Sequence, residues 1–288
     1  MSKITAIVSL YNPGSENIKN VFDISLQADR VVVCDNSPVD NGDSFAGNDK
    51  IIYVSELRNK GLPGAFNAVL KDDCFGWTED EYVIFFDQDS IINSDHIKKL
   101  IDEFENLSSH GLKIGCVGPV FYNRALQKKK LPRAYKRLNE NSIAVKGVIT
   151  SSMVCRYDVL AEVGFWNEEL FLDMVDWDLC WRLMREGYLC VTTDVSVMSH
   201  AVGEGVKRVG PIKLRIAVPV REYYQTRDSI TLLFGKYTPL KYRIRFIENL
   251  TVRAVLRLLF LDNRRLRLKY MLRGVKDNFK GIHGEYKE

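Results

Sequence analysis

Two carboxylates separated by one residue, Asp87 and Asp89, follow the apolar run at residues 82–86 in this chain of 288 residues. An uninterrupted apolar run of this length is typical of a buried strand in a parallel sheet. Open α/β folds bind ligands at the carboxyl edge of the sheet, where such strands end. Carboxylate oxygens suit Mg²⁺ or Mn²⁺, which in turn hold phosphates. The motif therefore predicts a metal-dependent enzyme acting on a nucleotide or diphosphate, although Asp and Ser are also ordinary turn residues.

A second group of acids, Asp173, Asp176 and Asp178, stands where a helix is predicted to begin. Free backbone N–H groups stabilise a carboxylate near a helix N-terminus, so capping explains any one of the three. Three together, after an aromatic-rich loop, exceed what capping needs, and one of them is a candidate general base. His200 ends another predicted strand before a glycine turn, where a metal ligand and a structural histidine are equally consistent with the pattern.

The first half of the chain alternates strand and helix patterns. Strands are predicted at 5–11, 30–34, 50–54, 82–86 and 114–120, and helices at 17–27, 62–71 and 94–107, the last with Ser94 as its N-cap. This order predicts a mostly parallel central sheet flanked by helices, with right-handed crossovers. Residues 143–155 are predicted to be extended, 189–199 to form another strand, and the chain to be mainly helical from residue 218 onward.

Composition and absent motifs exclude several classes of protein. A hydrophobic fraction of 46% and a charged fraction of 27% are ordinary for a globular chain. No signal peptide and no run of 18 uncharged apolar residues is visible, so a spanning helix is not expected. The six cysteines form no Cys-x-x-Cys pair and are predicted to be reduced core residues. Both familiar glycine-rich phosphate loops are missing, which disfavours an ATPase or a dinucleotide oxidoreductase.

Charge is distributed unevenly along the chain. Residues 236–280 carry 13 Lys+Arg against 3 Asp+Glu, a balance of +10 in a protein whose net charge is +4. Basic residues alternate there with Leu, Val and Phe, which is typical of an amphipathic helix on an anionic membrane. A helical cap with a solvated basic face is the alternative. No nucleic-acid-binding module is recognised, so nucleic acid is not expected as a partner.

Six short motifs, in this order, resemble the family 2 glycosyltransferases with the GT-A fold. The resemblance covers about residues 3–235, and it comprises Ser9-Leu10-Tyr11-Asn12, Val33-Cys34-Asp35-Asn36-Ser37, Arg58-Asn59-Lys60-Gly61 with Asn67, Asp87-Gln88-Asp89-Ser90, Asp176-Trp177-Asp178-Leu179 and His200. The form of the acidic motifs is most similar to the bacterial rhamnosyltransferase branch. The resemblance implies a catalytic domain at 1–235 and a basic, mainly helical segment at 236–288.

The resemblance also implies a role for each matching residue. Backbone near Leu10 and Tyr11, and the carboxylate of Asp35, would hold the nucleotide base. The sugar pocket would be lined by the segment containing Asn59, Gly61 and Asn67.

For the reaction itself, the resemblance implies that Asp89 and Asp87 hold Mg²⁺ or Mn²⁺ with the donor diphosphate, and that His200 contacts the metal or the diphosphate. Asp176 matches the catalytic base. Val175 stands where the family often has Glu, so Asp173 and Asp178 remain rival bases.

The expected function is inverting transfer of L-rhamnose from dTDP-L-rhamnose to a lipid-linked saccharide in surface polysaccharide synthesis. The expected location is cytoplasmic, peripheral on the inner face of the plasma membrane. Two alternatives remain: a UDP-hexose or UDP-GlcNAc transferase of the same fold, and a non-catalytic module that binds a nucleotide sugar or glycan. Intact Asp89 and Asp176 argue against the second, because a lectin needs no diphosphate site beside a base.

Overall fold

The computed structural model describes residues 2–123, 128–130, 133–200 and 205–287, and only the backbone at 122, 123, 128–130, 199 and 200. These residues form a large mixed sheet with helices on both faces, a separate hairpin and a group of C-terminal helices. The α/β class predicted from the sequence is confirmed, and the longest strand pairs are parallel.

The bounds of the strands are β1 Ile4–Leu10, β2 Arg30–Asp35, β3 Ile51–Ser55, β4 Tyr82–Asp87, β5 Ile114–Asn123, β6 Lys128–Lys130, β7 Lys136–Arg137, β8 Ser142–Val145, β9 Met153–Arg156, β10 Leu189–His200, β11 Val206–Val209 and β12 Ile212–Arg215. Strands β1 to β5 and β10 follow the predicted apolar runs to within a few residues, whereas β6, β7, β11 and β12 were not predicted. The order in the main sheet is β3-β2-β1-β4-β9-β5-β10-β8-β7, with β6 paired to β5.

The helices lie between these strands and at the C-terminus. Their bounds are α1 Ser15–Ser25, α2 Gly61–Leu70, α3 His96–Ser109, α4 Tyr157–Glu162, α5 Val175–Arg185, α6 Arg221–Phe234, α7 Leu240–Glu248, α8 Ala254–Phe260 and α9 Arg264–Phe279. A π-helical turn, Asn249–Arg253, joins α7 to α8.

The register of the parallel strands brings their carboxyl ends to one edge. Leu10 of β1 pairs with Asp35 of β2, and Ser9 pairs with Asp87 of β4. Successive side chains of a strand point to opposite faces. Ile7 therefore lies in the core beneath α2 and α5, whereas its neighbour Val8 lies in the core beneath α1 and α3.

Two local predictions are corrected. The predicted extended segment 143–155 is divided into two strands, β8 and β9, separated by residues 146–152, and β9 inserts antiparallel between β4 and β5. Ser94 does not cap α3, because Asp95 takes a left-handed φ of 62° and is itself the last residue before the helix. Neither feature has a local pattern that indicates it, since one depends on distant pairing and the other on an unusual backbone angle.

The C-terminal helices pack against α6. Glu222 of α6 is buried and lies 2.9 Å from both Arg257 of α8 and Arg267 of α9. Removing one partner of a buried ion pair typically costs 3–5 kcal/mol, so these guanidinium groups fasten the helices to α6. The predicted boundary after residue 235 falls directly behind α6, and the division into two domains stays a prediction.

Across the part of the chain that is described, none of the helices has both the length and the apolar character that a membrane crossing requires.

Gly274→Ala should destabilise the contact between α9 and α6. A methyl group at Gly274 would lie 2.6 Å from the carbonyl oxygen of Tyr223, so the helices must separate. Overpacking of this kind costs about 1–3 kcal/mol, measured as the free energy of unfolding in urea. Gly14→Ala is the matched control, because its methyl group meets nothing closer than 3.8 Å. Equal losses in the two variants would contradict the close packing.

Candidate functional site

Gln88 ties the acidic turn after β4 to the loop after β1. Its side-chain oxygen accepts a hydrogen bond of 2.7 Å from the backbone N–H of Tyr11. Its carbonyl oxygen accepts from the amides of Asn17 and Asn20 on α1, at 3.1 and 3.0 Å. The turn that carries Asp87 and Asp89 is thus fixed to the segment predicted to hold the nucleotide base. The sequence analysis assigned Gln88 no role.

Asp87 and Asp89 lie close together at the carboxyl edge of the sheet. Neither carboxylate has an ion pair or side-chain hydrogen bond with any described residue. Burial, followed by the negative charge of Asp89, raises the pKa of Asp87 to about 6. Two oxygen donors that repel each other and lack a counter-charge fit a hard divalent cation such as Mg²⁺ or Mn²⁺.

For His200, the structure describes only the backbone. Its backbone ends β10 and pairs with Asn123 of β5, but its side chain lies outside the described residues. The prediction that His200 contacts the metal or diphosphate therefore stays a prediction.

A buried polar layer lies behind the acidic turn. The hydroxyl groups of Ser90 and Ser151 are 2.6 Å apart. His96 is fully buried, and its two ring nitrogens lie 2.7 Å from the hydroxyls of Ser152 and Ser196. Burial, helped by the charge of Lys99, lowers the pKa of His96 to about 4, so the ring is neutral. This layer joins β10 to the segment leading into β9, and the sequence analysis gave His96 no role.

Asp35 is held in place by the turn that follows β2. It is only 3% exposed, and its carboxylate accepts hydrogen bonds of 2.8 Å from the N–H of Ser37, the amide of Asn41 and the hydroxyl of Tyr53. Burial and this neighbouring carboxylate raise the pKa of Tyr53 to about 12, so the phenol remains a donor. The structure places Asp35 beside the end of β1, and its contact with a base stays a prediction.

Gly61 allows two loops of the site to meet. Its φ is +71°, and a methyl group there would collide with the carbonyl oxygen of Phe171. The next residue, Leu62, donates its N–H to that oxygen at 2.8 Å. The side-chain oxygen of Asn59 accepts a hydrogen bond of 2.9 Å from the N–H of Gly61. The side-chain amide of Asn36 donates a hydrogen bond of 3.1 Å to the carbonyl oxygen of Gly61. The α2 N-terminus is therefore fixed to the loop that leads into the second acid group.

Asn67 uses its side chain within the protein. It is 3% exposed, its amide nitrogen donates to the carbonyl of Trp166 at 2.8 Å and to Glu168 at 2.6 Å, and its oxygen accepts from the N–H of Trp166. The structure thus shows Asn67 fastening α2 to the loop before α5. Its place in a sugar pocket stays a prediction.

Ion pairing separates the three acids at the start of α5. Arg221 holds Asp173 through two hydrogen bonds of 2.9 and 2.7 Å, and Arg182 holds Asp178 at 2.8 Å. Burial opposes ionisation of Asp173, but the hydrogen bonds and charge of Arg221 outweigh it and lower its pKa. Asp176 has no ion pair with any described residue. Among the described residues, Asp176 is therefore the one acid of the three without a cationic partner.

The surroundings of Asp176 suit a base. Burial, followed by the nearby Cys180 thiol, raises its pKa to about 7, although the N–H of Trp177 donates to its carboxylate at 2.9 Å. Catalytic bases work best when their pKa is near the operating pH. Val175, where the resemblance anticipates Glu, is the first residue of α5 and is buried in the core, which explains why an apolar residue is tolerated there.

Comparisons with known proteins identify the family of the chain. Residues 5–164 match the family described as Glycosyl transferase family 2. The chain is 30% identical to the dTDP-rhamnosyl transferase RfbF of Shigella flexneri, over 98% of this chain and 96% of that protein.

Solved structures confirm the GT-A-like fold. The structure of GalNAc-T7 with UDP, GalNAc and Mn²⁺ is similar with a TM-score of 0.60 and 11% identity, over 98% of this chain and 56% of that one. The S. aureus TarS 1-349 structure gives a TM-score of 0.51 and 16% identity, over 97% of this chain and 81% of that one. The family match covers more than half of the chain, and the alignment with RfbF covers almost the whole of both proteins. The chain therefore belongs to glycosyl transferase family 2.

Proposed function

We propose that this glycosyltransferase moves L-rhamnose from dTDP-L-rhamnose to a lipid-linked saccharide in surface polysaccharide synthesis, with inversion at the sugar. The observation that carries the proposal is Asp176, the one of the three acids near the start of α5 with no ion pair to a described residue, in a chain similar along almost its whole length to a dTDP-rhamnosyl transferase. The other two acids, Asp173 and Asp178, are ion-paired with Arg221 and Arg182.

The proposed reaction needs one base and one site for the diphosphate. The acceptor hydroxyl attacks the anomeric carbon, its proton passes to the Asp176 carboxylate, and the bond to the nucleotide diphosphate breaks. Asp87 and Asp89 would hold Mg²⁺ or Mn²⁺, which neutralises charge on the departing diphosphate. Mn²⁺ accompanies UDP in the GalNAc-T7 structure, which supports a divalent ion here.

A panel of nucleotide sugars tests the donor. Thermal shifts would be compared for dTDP-L-rhamnose, UDP-galactose, UDP-glucose and UDP-GlcNAc, each with Mn²⁺ or Mg²⁺. A ligand at 100 times its Kd stabilises the fold by about 2.7 kcal/mol, which such a shift readily detects. The proposal predicts the largest shift with dTDP-L-rhamnose. A larger shift with any UDP-sugar would contradict the proposed donor, and no shift with any of the four nucleotide sugars would contradict donor binding altogether.

Asp89→Asn should abolish transfer while the protein stays folded. The substitution removes one charge from the proposed metal site, so donor binding should lose the part that depends on Mn²⁺. Product formation and donor titration with and without EDTA measure this. Asp95→Asn, which removes the same charge from an exposed residue before α3, is the control. Wild-type turnover in Asp89→Asn, or full wild-type activity in EDTA, would refute the metal site.

Asp176→Asn should lower kcat on the order of 10²-fold or more while donor affinity changes little. Only the ionised carboxylate accepts a proton, so kcat/KM of the wild type should fall as the pH decreases below about 7. A pH–rate profile shows whether this limb disappears in the variant. Asp173→Asn and Asp178→Asn are the comparisons. If Asp173→Asn or Asp178→Asn removes the limb and Asp176→Asn keeps it, the base is the residue whose substitution removed the limb.

We also propose that the C-terminal helices dock on anionic lipid at the cytoplasmic face of the plasma membrane. Their surfaces combine basic residues with large apolar side chains that are at least half exposed, among them Leu240, Ile244, Ile247, Val255, Leu259, Leu272 and Phe279. Each basic residue near an anionic surface contributes about 1 kcal/mol, and salt weakens the attraction.

Replacing Arg264, Arg265 and Lys269 by Ser should weaken sedimentation with anionic liposomes and leave transfer to a short soluble acceptor intact. All three are exposed, whereas Arg267 is buried against Glu222 and must be kept, so it is unsuitable for this test. Binding should rise with anionic lipid content and fall with ionic strength. Replacing Lys19, Lys99 and Arg185 by Ser is the matched control. A wild type that ignores anionic liposomes at low salt would contradict the docking.

A further inference from the structure

A basic hairpin follows β10 and leads to α6. Its strands β11 and β12 are antiparallel and are joined by Gly210 and Pro211. The ten residues 206–215 contain four cations and no acid. The sequence analysis did not predict these strands, because the run is short and mostly polar.

The pairing of the two strands collects three of the cations on one face. Arg208 lies directly opposite Lys213. Two residues further along the strands, Arg215 lies opposite Val206, and the side chains of both pairs point to the same face of the hairpin. Arg208, Lys213 and Arg215 are all exposed, and none has an ion pair with a described residue. Like charges directly opposite each other destabilise a hairpin. An anion between them would remove that cost.

The opposite face fastens the hairpin to the body. Leu214 is only 2% exposed, and the ammonium group of Lys207 donates to the carbonyl of Phe260 at 2.6 Å. Arg253 donates to the carbonyl of Lys213 at 3.2 Å. Beyond the hairpin, Arg267 donates to the carbonyl of Ala217 at 2.7 Å. The basic face is therefore presented on a support anchored to the C-terminal helices.

The helix that follows the hairpin, α6, contacts one of the acids of the site. Arg221, six residues after Arg215, holds Asp173 through both carboxylate oxygens. Burial opposes ionisation of Asp173, and the charges of Arg221 and Arg215 help to lower its pKa against that effect. The charge of Arg215 therefore acts on Asp173, which precedes Asp176 by three residues. An acceptor whose hydroxyl reaches Asp176 would pass close to this face.

We propose that Arg208, Lys213 and Arg215 bind the diphosphate group of the lipid-linked acceptor. The inference rests on the proposed function, which supplies a lipid-linked acceptor, and adds the group by which that acceptor is recognised. A diphosphate provides several oxygens for charge-assisted hydrogen bonds with arginine and lysine. The donor diphosphate has a different position, at Asp87 and Asp89. Anionic bilayer lipids offer the same chemistry, and the experiment separates them from the acceptor.

Binding of a short-chain prenyl diphosphate tests the proposal directly. Calorimetry would use the full chain with saturating dTDP and Mg²⁺, so that the donor position is filled. The triple variant Arg208→Gln, Lys213→Gln, Arg215→Gln should bind the probe on the order of tenfold more weakly or worse, with dTDP affinity unchanged. The control, Lys19→Gln with Lys99→Gln and Arg185→Gln, should match the wild type. The single variant Arg215→Gln should be weakened in the same direction, and melting curves establish that each variant is folded.

Several results would overturn the inference. These are failure of the wild type to bind the prenyl diphosphate, an equal loss in the control, or a loss of dTDP affinity in the triple variant. Competition of the probe by vesicles of anionic phospholipid, with no preference for the diphosphate, would assign the face to the bilayer instead. Failure of dTDP-L-rhamnose to bind the wild type is a separate result, since it refutes the proposed function whatever the hairpin does.

Discussion

The parallel pairing of β1 with β2 and β4 determines where the functional groups of the first half of the chain lie. Because Leu10 is level with Asp35, and Ser9 with Asp87, three strands end at the same edge. Gln88 then bonds the β4 turn to the loop after β1 and to α1. A shift of one residue in this register would turn every side chain to the other face of the sheet and take the acids away from the edge.

Arginine pairing distinguishes the three acids near the start of α5 from one another. Asp173 and Asp178 are neutralised by Arg221 and Arg182, and they hold α5 and its preceding loop in place. Asp176 lies between them in sequence and has no ion pair with a described residue, and burial raises its pKa to about 7. Asp87 likewise has a raised pKa beside Asp89. Acids that stabilise the fold and acids available for chemistry are thus distinguished by their partners.

The sequence predicts those parts of the structure that depend on local pattern. Apolar runs predicted β1, β2, β4 and β10, and short motifs identified the family. Each run and each motif consists of neighbouring residues, so the sequence alone reveals it. The antiparallel β9 could not be predicted in this way, since its four residues pair with strands distant in sequence.

Partners also lie beyond what one sequence reveals. Nothing local distinguishes Arg267, which is buried against Glu222, from the exposed Arg264 and Arg265. The engagement of Asn67 with Trp166 spans 99 residues. For the same reason the sequence left Asp173, Asp176 and Asp178 as rivals, and only the structure shows which of them arginines hold.

Asp176 is the one of these three acids with no ion pair to a described residue, and its raised pKa makes it the proposed acceptor of the proton. A ¹³C NMR titration of the aspartate carboxyl groups, assigned with the three Asp→Asn variants, measures this directly. We expect Asp176 to titrate with a pKa of about 7 and Asp173 to titrate with a pKa below the ordinary range for aspartate. Titration of Asp176 near the ordinary value of about 3.9 would contradict the account.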